Sequence, residues 1–88
     1  MRMKQLRYFI TVAETGSIAS AAKKLYVSAP AVSIAIANLE RELEVSLFIR
    51  ERNRLMLTPL GQSYYLRVLR IFQDIDEATA EIRKMAGV

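Results

Sequence analysis

From Pro59 to Gly87 the chain meets no helix breaker except Gly61, and Thr58 with Pro59 forms a cap and first-turn pair at the start of that stretch. About 28 residues of helix reach ~42 Å at 1.5 Å per residue, too long to fold back within so small a chain. Tyr65, Val68, Phe72, Ile75, Ile82 and Met85 recur along it at helical spacing, with Leu69, Ile71 and Ala78 widening the stripe. Such a stripe needs a partner surface. Part of it can cover a neighbouring helix, and the rest is best met by an identical helix from a second chain, so these six residues are the candidate dimerisation set. Residues 1–58 are then left to make a domain of their own, with residues 59–88 as linker and dimerisation helix.

Within the first 58 residues the helical period repeats three times. Leu6, Phe9, Ile10 and Ala13 lie on one stripe of a helix running from about Lys4 to Thr15, and Gly16 stops it. Ser17 caps a second, shorter helix whose inner side carries Ile18, Ala21, Ala22 and Leu25. Tyr26 and Val27 break the pattern. Ser28, Ala29 and Pro30 then start a third helix that runs to about Leu43, with Val32, Ile36, Leu39 and Leu43 facing inward. Ala29, Ala31, Ser33, Ile34 and Ala37 are left on the opposite or flanking side. A helix that shows small residues outward is built to lie against something.

After Val45 the rhythm changes. Leu47 to Arg50 and Leu55 to Thr58 are two short apolar runs around the charged turn Glu51-Arg52-Asn53-Arg54, which reads as a β-hairpin over residues 47–58. Its arginines form either a solvated loop or a contact for an anion. The expected fold is therefore mostly α: three helices, a two-stranded hairpin wing, and the long helix.

Charge and composition narrow the function. The chain holds no cysteine and no histidine, which removes thiolate and imidazole metal ligands, the cysteine nucleophile and the usual base for an activated serine. No cofactor or metal is expected, and an enzyme is not. The longest uncharged stretch, Leu25 to Leu39, falls short of the ~20 residues of a membrane span, and no signal peptide is visible, so a cytoplasmic setting and no membrane partner are expected. A net charge of +4 favours a polyanionic partner. Arg2, Lys4, Arg7, Lys23 and Lys24 make one basic zone and Arg50, Arg52, Arg54, Arg67 and Arg70 another, with acidic segments between and after them.

A short helix, a tight turn and a second helix with small residues near its start is the pattern of a helix-turn-helix, whose second helix enters the major groove of DNA by its N-terminal end. Here the residues resemble a family. Ser17-Ile18-Ala19-Ser20-Ala21-Ala22-Lys23-Lys24-Leu25, Ser28-Ala29-Pro30-Ala31-Val32-Ser33, Leu39-Glu40-Arg41-Glu42-Leu43, Leu47-Phe48-Ile49-Arg50 and Leu57-Thr58-Pro59-Leu60-Gly61 are similar to the N-terminal signature of LysR-type bacterial transcription regulators, and Leu6-Arg7-Tyr8-Phe9 fits it too. The resemblance implies a winged helix-turn-helix that binds double-stranded DNA sequence-specifically, and a linker helix that forms a homodimer as an antiparallel coiled coil. It also implies a larger effector-binding domain, absent from this chain, to which any small-molecule effector would belong.

Carried over by position, the DNA-binding set is Ser17, Ser28, Ala29, Pro30, Ala31, Ser33 and Ile34 on the helix-turn-helix, with Arg50, Arg52, Asn53 and Arg54 reaching backbone or minor groove from the wing. The chain departs from the family in carrying Ala29 where glutamine is usual, Ile34 and Ala35 where polar or basic residues are usual, Glu44 for a glycine and Leu60 for an alanine. Alanine and isoleucine can touch a thymine methyl but cannot make the bidentate hydrogen bonds that identify guanine or adenine. Direct readout is therefore expected to be poorer than usual, with more left to the wing and to DNA shape. The alternative function is a dimerisation or adaptor module whose long helix binds protein without DNA, which would leave both basic zones without a purpose.

Overall fold

The computed structural model describes residues 1–88. The elements run α1 (Met3–Thr15), α2 (Ile18–Leu25), α3 (Ala29–Leu43), β1 (Phe48–Glu51), β2 (Arg54–Leu57) and α4 (Pro59–Met85). The two strands pair antiparallel, with Phe48 opposite Leu57 and Glu51 opposite Arg54. Each of the last three helices begins as its sequence dictates. Ser17, Ser28 and Thr58 are extended, and their hydroxyls accept from the backbone N–H of Ser20, Ala31 and Gly61, so one orphan donor of each first turn is satisfied.

Helix α1 is the centre of the domain, packed against α2, α3, α4 and β2. It buries more than the expected stripe: Tyr8, Thr11 and Val12 join Leu6, Phe9 and Ile10, because partners approach it from several sides. Phe9 is fully buried, and its ring meets those of Phe48 and Tyr64 at 5.5 Å and Tyr65 at 6.5 Å, which joins α1, β1 and α4 in one aromatic cluster. Ala21 and Ala22 let α2 come close, and Val32, Ile36 and Leu39 supply the α3 face of the core. Burying side chains of this size stabilises by roughly 1.5–3 kcal/mol each.

The hairpin is fastened at its base. Leu47 is buried, and the Glu40 carboxylate of α3 accepts from the backbone N–H of Leu47 (2.7 Å) and of Phe48 (3.3 Å). Thr58 N–H donates to the Leu47 carbonyl at 2.9 Å, while its hydroxyl donates to Ser46 O at 2.7 Å. That Leu47 carbonyl lies directly over Gly61, where a Cβ would stand 2.1 Å from the oxygen. Only glycine admits the contact.

Three tight turns carry left-handed residues that are not glycine: Tyr26 (φ 59°), Glu44 (φ 58°) and the wing pair Arg52 (φ 51°) and Asn53 (φ 63°). Two consecutive positive φ values give the wing a primed two-residue turn, whose twist matches the strands it joins. Glu44 shows what its departure from glycine means locally: the left-handed geometry is kept, and the residue is strained to keep it.

Candidate nucleic-acid interface

The first turn of α3 lies at the surface. Ala29, Pro30, Ser33, Ile34 and Ala37 are exposed or partly so, and Ile34 leaves 61% of its area open. Ala31 is half-buried, in a groove between α3 and the start of α1 that Arg2, Lys4, Asn38 and Arg41 also line. Ser17 and Ser28 keep their hydroxyls on the backbone amides they cap, so each serves first as a cap. Pro30 has no N–H and the Ala31 N–H goes to the Ser28 hydroxyl, so of the first-turn amides of α3 only that of Ala29 is left without an internal acceptor, at the helix end that favours an anion.

The wing arginines stand apart from their expected grouping in one respect. Arg50, Arg52, Asn53 and Arg54 are all exposed. Arg52 and Asn53 occupy the tip, whereas Arg54 turns back: its guanidinium lies where a Cβ on Gly16 would come within 2.7 Å of Nη2. The Leu55 N–H donates to Gly16 O at 3.0 Å, so β2 runs beside the α1–α2 turn and brings Arg54 over Gly16, the residue that precedes Ser17. Strand alternation puts Arg50 with Leu55 on one face of the hairpin and Arg54 with Glu51 on the other. None of the three arginines is in a salt bridge; the chain has two, Met1 ammonium to Glu42 and Arg70 to Asp74. Unpaired, exposed guanidiniums on the wing, that of Arg54 lying against the α1–α2 turn, are suited to phosphate oxygens.

The groove residues Arg2, Lys4, Asn38 and Arg41 were absent from the expected site. The charges of Arg2, Lys4 and Arg41 are legible in the sequence, and Asn38 and Arg41 follow Ile34 at helical spacing on α3, but the place of Arg2 and Lys4 beside them depends on how α1 crosses α3. Gln5 fixes that crossing by donating to Ala35 O at 3.3 Å and to the Glu42 carboxylate at 3.5 Å. The Met1 ammonium, by donating to Glu42, holds that carboxyl below its ordinary pKa. Arg41 donates to the Asn38 side-chain oxygen at 2.8 Å.

The dimerisation set divides. Val68 and Phe72 are buried in the chain's own core, so these two serve α1 and are not free for a second chain, whereas Tyr65 is half-buried with its hydroxyl donating to Glu14. Burial first, then the Glu14 charge, raises the Tyr65 pKa; burial and then Glu42 do the same for Tyr64. The Arg7 guanidinium covers the Phe72 ring at 4.6 Å. Ile75, Ile82 and Met85 are exposed, and so are Ile71 and Ala78. The correction has a simple cause: a stripe one helix wide serves two partners in succession, and only the part beyond Phe72 lies past the body of the domain.

The family described as "Bacterial regulatory helix-turn-helix protein, lysR family" matches residues 3–62. The chain belongs to the LysR family. Among its relatives, the transcriptional dual regulator GltC of Bacillus subtilis is 44% identical over 82 residues, which cover 93% of this chain and 27% of GltC. BenM, a regulator of Acinetobacter baylyi, is 33% identical over all 88 residues, or 29% of BenM. The chain thus spans under a third of either relative. The crystal structure of the BenM DBD with catB site 1 DNA superposes with a TM-score of 0.93 at 32% identity, covering 100% of this chain and 98% of that one. For the CbnR DBD–DNA complex the TM-score is 0.87 at 36% identity, covering 98% and 99%. Both share the winged helix-turn-helix with a long C-terminal helix. No helix of this chain is long and apolar enough to cross a membrane.

Proposed function

We propose that this chain is the DNA-binding part of a transcription regulator and acts in the cytoplasm, with α3 laid in the major groove of double-stranded DNA and the wing on backbone or minor groove. The observation that carries this reading is the exposed, capped first turn of α3, bearing only small or apolar side chains, in a chain whose wing also exposes three arginines that no carboxylate neutralises. The DNA complexes of the BenM and CbnR domains support it by similarity of fold over nearly the full chain. Phosphate contacts supply most of the affinity. Discrimination among sequences rests less on bidentate hydrogen bonds than on Ser33, on thymine-methyl contacts from Ala29 and Ile34, on the wing and on DNA shape.

The module works as a homodimer. Starting beside Phe72 and running past the body of the domain, the exposed residues Ile71, Ile75, Ala78, Ile82 and Met85 follow steps of four, three, four and three, the spacing of a coiled-coil seam. Two copies joined through this seam would present two α3 helices to a dyad-symmetric site.

The test is a salt titration of affinity for random-sequence duplex. The unaltered chain is expected to bind at low salt and to weaken steeply as salt rises. Arg52→Ala should lower affinity for every sequence and reduce the log–log slope by about 0.9 for each phosphate that the guanidinium no longer neutralises. An unchanged slope removes the wing from the interface, and no binding at low salt favours a protein-binding adaptor.

A further inference from the structure

Tyr26, in the turn between α2 and α3, is the least explained residue in the fold. It ends α2 in the left-handed region, at φ 59° and ψ 42°, where its N–H donates to the Lys23 carbonyl at 3.3 Å and the next N–H, of Val27, to Ala22 O at 3.1 Å. The backbone requires that conformation and a glycine would adopt it without strain. A bulky side chain there is an outlier that internal packing would have to justify. Nothing inside the chain does so: the side chain is 94% exposed, and of the tyrosine hydroxyls only those of Tyr64 and Tyr65 make hydrogen bonds. The other tyrosines contrast with it, since Tyr8 is buried and Tyr64 and Tyr65 pack against Phe9.

Position supplies the missing reason. Tyr26 lies two residues before Ser28, the cap of α3, and follows Lys23 and Lys24, which are exposed in the last turn of α2. If α3 enters a groove by its first turn, the α2–α3 turn meets the sugar-phosphate backbone at the groove's edge. Paired bases are stacked and closed to the ring, whereas phosphate oxygens accept hydrogen bonds from tyrosine hydroxyls. We infer that Tyr26 is a DNA-contacting residue whose hydroxyl donates to a phosphate oxygen beside the N-terminus of α3. This rests on the DNA-binding reading above. It adds an uncharged anchor that holds the register of the recognition helix and carries no sequence information.

Two substitutions in the full 88-residue chain test it, with random duplex as the probe. Tyr26→Phe removes the hydroxyl alone and should weaken binding roughly threefold to tenfold, the worth of one hydrogen bond. Because no cation is removed, the salt slope should stay that of the unaltered chain, unlike Arg52→Ala. Tyr26→Gly removes the ring and relieves the backbone, so it should melt no lower than the unaltered chain and still bind more weakly. Tyr26→Phe binding as tightly as the unaltered chain overturns the inference, whatever the glycine variant does. Failure of the unaltered chain to bind duplex at low salt is the separate outcome that overturns the DNA reading and this contact with it.

Discussion

Replacing Gly61 with alanine asks whether the wing and the linker helix are locked together by one backbone contact. An alanine Cβ would stand 2.1 Å from the Leu47 carbonyl oxygen and 2.9 Å from its carbon. Ordinary contact begins at 3.4 Å, so the oxygen would have to retreat by 1.3 Å. It cannot do so freely. The same carbonyl accepts from Thr58 N–H at 2.9 Å, and the Leu47 side chain is 1% exposed in the core. Overpacking of this kind costs about 1–3 kcal/mol, and breaking the Thr58 bond adds about 1 kcal/mol. Alanine recovers about 1 kcal/mol as the better helix former, which leaves a net destabilisation of about 2 kcal/mol. For a domain of this size that lowers the midpoint by roughly 8–16 °C. Thermal unfolding followed by circular dichroism, at matched protein concentration, reads it directly. Without the contact the sign reverses, so a midpoint equal to or above that of the unaltered chain would refute the packing described at Leu47.

Three further outcomes follow from the same geometry. Glu44→Gly should raise stability by about 1 kcal/mol, because the position is already left-handed and glycine adopts it without strain, as urea unfolding would report. Gly16→Ala should lower stability by about 1–2 kcal/mol for its φ of 72°, less than Gly61→Ala, because the clashing atoms belong to the flexible Arg54 side chain. Ile75→Glu with Ile82→Glu should abolish the dimer in analytical ultracentrifugation while the helical signal of the domain persists; Val68→Glu should unfold the domain itself.

The number and order of elements could be read from the sequence because capping residues and apolar spacing act locally. Ser17, Ser28 and Thr58 each mark a helix start by satisfying a nearby amide of the first turn. The turn around Arg52 and Asn53 was marked by composition alone. What escaped sequence reading depends on distance along the chain. The spacing of Val68 and Phe72 is the same whether they face α1 or a second chain, and only the position of α1 decides it. Arg54 could not be separated from Arg52 by sequence, since its place over Gly16 comes from β2 running beside the α1–α2 turn. The groove formed by Arg2, Lys4 and Arg41 beside Ile34 likewise exists only once α1 crosses α3.

The absence of cysteine from the chain allows a single label to be placed anywhere on it. Ala29→Cys, carrying a short photoactivatable crosslinker, puts the reactive group on the exposed first turn of α3, and Glu77→Cys puts it on an exposed face of α4. With duplex DNA present at low salt, the expected result is strong crosslinking to bases from position 29 and little from position 77. Equal yields from the two positions, or none from position 29 while the complex still forms, would contradict the placement of α3 in the groove.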